Sequence, residues 1–195
     1  PIALVACAKL GCAGSGVSPL MAPNEIAHQV GDAGISVLLS LDDLVDSALA
    51  RMKEVPACLR HVIVASAADY TAGPAPREFT LAGVETHPYP DLMEAAPAAY
   101  HQQAVDPDDT MMIQYTGGTT GRPKGAELSI RTLMYNPLQT AAYAPWDTGS
   151  EVVATAFPRF HAVGLAFAIA SLRFGARLLL IPNARDVEHF CQQMQ

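Results

Sequence analysis

The feature that most limits the fold of this chain is a series of short apolar runs, each too brief for a buried helix. Ile35-Ser36-Val37-Leu38-Leu39, His61-Val62-Ile63-Val64-Ala65, Thr110-Met111-Met112-Ile113-Gln114-Tyr115, Glu151-Val152-Val153-Ala154-Thr155-Ala156-Phe157 and Arg177-Leu178-Leu179-Leu180-Ile181 are of this kind. Strands buried on both faces read as near-continuous apolar runs, whereas strands wet on one face alternate. Helical patterns lie between them. Residues 1–10 read as a helix ending near Gly11. Pro23 suits a first helical turn, Ile26, Ala27 and Val30 supply one apolar face, and Gly34 supplies a stop. Ser40 is expected to cap a helix through Lys53 with Leu41, Leu44, Val45 and Leu49 buried, and Ser129 to cap another through Thr140. Residues 162–174 form an apolar helix stopped by Gly175, and Asp186–Met194 begins a last one. Such alternation predicts an α/β fold, a mostly parallel sheet flanked by helices.

The texture changes over residues 67–109, where Pro74, Pro76, Pro88, Pro90, Pro97 and Pro107 punctuate an Ala-rich stretch of little periodicity. Loops this long are unusual inside a compact domain. The chain is therefore divided into an α/β segment at 1–66, a Pro-rich surface excursion at 67–109 with one short helix near Asp91–Ala96, and a second α/β segment at 110–195.

Composition narrows the partners. A net charge of −7 offers no basic face to a phosphate backbone, and aromatics making up 7% are not interleaved with Lys or Arg. Nucleic acid is excluded as the expected partner. Cys7, Cys12, Cys58 and Cys191 lack zinc or disulfide spacing and read as small buried hydrophobes in a reducing compartment. Lys9 interrupts the opening apolar run and no basic segment precedes it, so the start reads as an amphipathic helix whose beginning has been cut off rather than a leader. The stretch Ala162–Leu172 is too short to span a bilayer. A soluble, cytoplasmic protein is expected.

One segment reads as a tool: Gln114-Tyr115-Thr116-Gly117-Gly118-Thr119-Thr120-Gly121-Arg122-Pro123-Lys124-Gly125. Glycines bring backbone N–H groups close to an anion, threonine hydroxyls add donors, and Lys124 adds a positive charge. The loop leaves the end of an expected central strand, where open α/β sheets place ligands. Lys124 follows Pro123 and precedes Gly125, so the loop is not a Walker A motif, and it lacks the dinucleotide fingerprint. The bland alternative is a flexible turn between two strands.

This stretch resembles the phosphate-loop signature of the adenylate-forming superfamily, which includes acyl-CoA synthetases, luciferases and peptide-synthetase adenylation domains. Gly117 stands where most members have Ser, and the resulting form is similar to the long-chain fatty-acyl-CoA synthetase branch. Phe157-Pro158-Arg159-Phe160-His161-Ala162-Val163-Gly164-Leu165 resembles the family's next motif, and Ile181-Pro182-Asn183-Ala184-Arg185-Asp186 resembles the bacterial long-chain enzymes. Upstream, Pro19-Leu20 and Asn24–Gln29 are similar to an early segment of the same domain. Arg159 and Phe160 depart from the usual apolar residue and Tyr, and Ile130 stands where many relatives have His.

The resemblance implies that the chain is part of a large N-terminal AMP-binding domain, with the small C-terminal domain outside it. It implies activation of a fatty acid by attack of its carboxylate on the α-phosphate of ATP, then displacement of AMP by the thiol of coenzyme A. Thr116, Gly117, Gly118, Thr119, Thr120, Gly121 and Lys124 would hold phosphate oxygens. His161 would orient the acyl substrate or gate a channel, the alternative being a core histidine bonded to backbone, and Gly164 would leave room for the acyl chain. Mg2+ is implied for the parent enzyme without a ligand in this chain, because the family's Glu, ribose-binding Asp and C-terminal Lys motifs are not in it. Peripheral contact with the inner membrane surface, and self-association through an uncovered sheet face, are further expectations. The other histidines, His28, His61, His87, His101 and His189, show no constellation and read as surface or structural. Two other readings stay open: an aryl or short-chain acid–CoA ligase, and a non-catalytic nucleotide-binding or scaffold module.

Overall fold

The computed structural model describes residues 2–71, 79–117, 122–181, 183 and 185–194, with the backbone alone at Tyr70. In chain order the first elements are α1 (Ile2–Leu10), α2 (Pro23–Asp32), β1 (Val37–Leu41), α3 (Asp42–Ser47), β2 (His61–Ala65), β3 (Glu85–Pro88) and α4 (Tyr89–Ala95). They are followed by β4 (Thr110–Thr116), β5 (Lys124–Ser129), α5 (Ile130–Tyr143), β6 (Val152–Thr155), α6 (Ala162–Phe174), β7 (Arg177–Leu180) and α7 (Val187–Gln193). The chain divides into two compact units, one of residues 1–16, 103–114 and 126–195, the other of residues 17–102 and 115–125.

In the unit that contains α2, strands β1, β2 and β3 form a parallel sheet in that order. Val37 pairs with His61, and His61 in turn with Glu85. Val62 and Val64 of β2 point to the buried face, where they join Ile26, Val30, Val45, Leu49, Leu59 and Leu81 in one core. Helix α2 enters this core because Ile26 and Val30 are four residues apart on one face. Glu25 closes its first turn by accepting the Ala22 N–H at 2.8 Å. Gly34, at a φ of +62°, follows its end.

Three local expectations change here. Ser40 lies inside β1 and does not cap; α3 starts at Asp42 and ends at Ser47, and Leu49–Arg51 continues as a single 3-10 turn. Within residues 67–109, Glu85–Pro88 forms β3, an outer strand of the sheet. Its closing Pro88 fits that position, because an outer strand needs no further donor there. Pro74 and Pro76 lie outside the described residues.

The other unit holds parallel strands β6 and β7, with Val152 opposite Arg177, and helix α5 packed on α6. Ser129 caps α5 by accepting the Thr132 N–H at 3.2 Å, and Gly175, at a φ of +64°, ends α6. Pro137 is fully buried inside α5. Strand β4 bridges in parallel to Gly14, whose N–H donates to the Met111 carbonyl at 2.9 Å. Strand β5 pairs with β4 and was not expected from the sequence. Helix α1 forms as expected but is not amphipathic: none of its residues is buried, and Ile2, Val5 and Leu10 are exposed. The cysteines are likewise not buried hydrophobes. Cys12 and Cys191 are exposed, Cys7 and Cys58 half-buried, and all four are free. No helix among the described residues is long and apolar enough to cross a membrane.

Candidate phosphate loop and a second motif

The loop begins where β4 runs out. Tyr115 is anchored first: its hydroxyl donates to Asp32 Oδ2 at 2.5 Å, in the same unit. Burial, and after it the bond to Asp32, push the Tyr115 pKa up from 10.0 to about 12. The Thr116 hydroxyl donates to the Lys124 carbonyl at 3.5 Å, a long bond that joins the two ends of the loop. Gly117 is exposed, and a Cβ there would meet nothing within 4 Å. Its value is therefore not local space within the described protein; it leaves that side open. Lys124 is exposed at the start of β5. Gly118, Thr119, Thr120 and Gly121 lie outside the described residues.

The second motif is built in the other unit. His161 is the N-cap of α6, and its Nδ1 accepts the Val163 N–H at 3.4 Å. It is exposed, so it is a capping histidine rather than a core one. Phe157 stacks on Phe167 of α6 with centroids 6.1 Å apart. Arg159 donates to the Gly164 carbonyl at 2.9 Å, and burial lowers its pKa. This departure from the family pattern thus has a structural use, tying the motif to the first turn of the helix.

Two glycines and one glutamine fix the backbone of this motif. At Gly164 a Cβ would lie 2.1 Å from the Pro158 carbonyl oxygen and 2.8 Å from that of Phe157. The space at Gly164 is filled by the Phe157–Pro158 backbone, which corrects the expectation that it makes room for an acyl chain. At Gly16 a Cβ would lie 2.7 Å from the Phe160 Cα. Gln114 is buried, and its Nε2 donates to the Phe160 carbonyl at 2.7 Å. Its place at the head of the loop motif concealed this role, because a strand-end glutamine and a ligand-binding one look alike in sequence.

A further cluster lies on the outer face of the β2–β3 pair. His61 Nδ1 and His87 Nε2 are 3.1 Å apart, and Glu85 Oε2 is 3.4 Å from the first and 3.8 Å from the second. The sequence reading left both histidines without a constellation. Spacing along the chain does not reveal it, since the parallel register brings together residues more than twenty positions apart.

Residues 1–195 match the family described as AMP-binding enzyme. The long-chain-fatty-acid–CoA ligase of Escherichia coli O6:H1 is 30% identical over 210 aligned positions, covering 100% of this chain and 37% of that protein. Among solved structures, a malonyl-CoA ligase ternary product complex with methylmalonyl-CoA and AMP bound is 25% identical, with a TM-score of 0.64, over 92% of this chain and 32% of that one. The N-terminal domain of FACL13 from Mycobacterium tuberculosis shares the fold at 20% identity, with a TM-score of 0.74, over 98% of this chain and 43% of that one. The chain therefore spans well under half the length of each of these proteins. Matched from end to end, it belongs to the AMP-binding enzyme family.

Proposed function

We propose that the protein carrying this chain activates a fatty acid with ATP, forming an acyl-adenylate and then an acyl-CoA. The observation that carries the reading is the loop Thr116–Lys124, which ends in an exposed lysine, in a chain similar over its whole length to a long-chain-fatty-acid–CoA ligase. The carboxylate attacks the α-phosphate of ATP, a P–O bond forms, and the bond to pyrophosphate breaks. Coenzyme A sulfur then attacks the acyl carbon and AMP leaves. Charge gathers on phosphate oxygens in the first step, so fixed donors and a cation placed there lower its barrier. Thr116, Gly117, Gly118, Thr119, Thr120, Gly121 and Lys124 take that part.

His161 takes a narrower one. With Nδ1 accepting from Val163, the neutral ring carries its proton on Nε2. It is then a donor toward a substrate oxygen rather than a base. Mg2+ accompanying the nucleotide would want oxygen ligands. Residues 114–125 offer threonine hydroxyls and no carboxylate, so any carboxylate ligand to the ion would come from outside this loop.

The test is ATP–pyrophosphate exchange by the full protein with a mid-length fatty acid. Exchange that requires the fatty acid and falls at least about a hundredfold in Lys124→Ala supports the reading. Undiminished exchange in that variant removes Lys124 from the chemistry. The 25% identity to a malonyl-CoA ligase favours a short-chain acid as the second reading, and exchange supported by that acid alone would select it.

A further inference from the structure

We propose that His61, Glu85 and His87 form a binding site for a divalent transition-metal ion of the zinc class, clamping β2 to β3. Among the described residues this is the group of His, Cys, Asp or Glu side chains whose ligand atoms converge closely enough to hold an ion. Two imidazoles and one carboxylate are a donor set suited to zinc, nickel or copper ions, and three protein ligands leave a position for water.

The backbone brings the set together. His61 stands opposite Glu85, and Ile63 opposite His87, in the parallel register. All three ligands therefore share the face of the sheet opposite Val62 and Val64, which are buried in the core. The Glu85 N–H donates to the Arg60 carbonyl at 2.9 Å, holding the starts of the two strands in line.

The distances favour an ion. Separations of 3.1, 3.4 and 3.8 Å between His61 Nδ1, His87 Nε2 and Glu85 Oε2 define a triangle. The circle through its corners has a radius of about 2.0 Å, matching zinc bonds of roughly 2.0–2.2 Å to nitrogen and oxygen. A tetrahedral zinc ion would set its ligand atoms about 3.3 Å apart, close to the mean of these edges. The two ring nitrogens are within hydrogen-bonding distance of each other, and an ion would take the place of that contact. The side chains of His61, His87 and Glu85 are 39%, 33% and 73% exposed, so an ion has access without any opening of the fold.

The position indicates the purpose. His61 and Glu85 are the first residues of their strands, whereas open α/β sheets place substrates beyond the carboxyl ends. The site is thus at the end of these strands away from such a substrate crevice. An ion there would hold a central strand to an outer one and close the long connection, residues 66–84, that separates them.

The experiment is calorimetric titration of the full chain with Zn2+, repeated with Co2+ so that the visible spectrum reports the ligands. One saturable equivalent is expected, with a cobalt spectrum free of thiolate charge-transfer bands, and thermal stability should rise with zinc. His61→Gln, His87→Gln and Glu85→Gln should each weaken binding roughly tenfold or more. Glu85→Gln is a surface change that keeps the fold, so it is decisive if a histidine variant fails to fold. Absence of a saturable equivalent, thiolate bands in the cobalt spectrum, or unchanged affinity in Glu85→Gln would each overturn the proposal.

Discussion

Replacing Gly164 by Ala separates two accounts of a glycine inside a helix. If Gly164 were a passenger, Ala would stabilise α6 by about 1 kcal/mol through helix propensity. The structure requires the opposite sign. A Cβ at this position lies 2.1 Å from the Pro158 carbonyl oxygen and 2.6 Å from its carbon, where even 3.0 Å is closer than real Cβ atoms come. Helix and turn must part by about 1 Å, and the obstacle is backbone, which has no rotamer to change. Overpacking of this kind costs about 1–3 kcal/mol, and a backbone clash belongs at the upper end. Set against the propensity gain, the net loss is about 2 kcal/mol. Trp146, the chain's single tryptophan, packs against Phe174 at the end of the same helix, with centroids 5.5 Å apart. Its fluorescence therefore reports the unit in question. With a urea dependence of about 2 kcal/mol/M, the midpoint should fall by about 1 M. A midpoint that stays or rises would refute the argument, and with it the assignment of Gly164 to backbone packing.

Gly31→Ala should behave in the contrary way, because its new Cβ meets only Pro56 side-chain carbons at 3.7 and 3.9 Å. A gain of about 0.5–1 kcal/mol by chemical denaturation is expected. Tyr115, with a folded-state pKa raised to about 12, contributes stability that is complete below pH 10 and lost as pH rises toward 12. Stability measured across that window should decline less steeply in Tyr115→Phe, and an unchanged slope would deny the raised pKa of Tyr115. Ser129→Ala removes the cap of α5 and should cost about 1 kcal/mol in the same denaturation assay.

What could be read from the sequence was what local chemistry decides. Gly34 and Gly175 mark helix ends because positive φ suits glycine there, and Ser129 marks a start because its side chain serves its own helix. Strand β3 was hidden for a different reason. Glu85-Thr86-His87-Pro88 has no apolar pattern, and becomes a strand through pairing with β2 across a long connection. Strand β5 was hidden because Lys124 and Gly125 were read as the end of a loop. Around the two motifs, the sequence pointed to the loop and to His161 as candidates but not to the contacts that hold the backbone of residues 157–164. The contacts of Gln114 and Gly16 with Phe160 join residues far apart in the chain, and no residue type announces such a partner.

The way the chain crosses between its two units sets an order of assembly. It crosses after Gly16, Gln102, Gln114 and Gly125. Sheet partners in the central segment are close in sequence, Val37 and His61 being 24 positions apart. Ser15, by contrast, meets the Ile113 carbonyl across 98 positions. Loop-closure entropy and the penalty of distant contacts both favour the central segment first. Residues 1–16 therefore find their partners at 103–114 only after the central segment has formed. Ile2, Val5 and Leu10 are exposed on α1, so this segment carries an apolar surface throughout that wait.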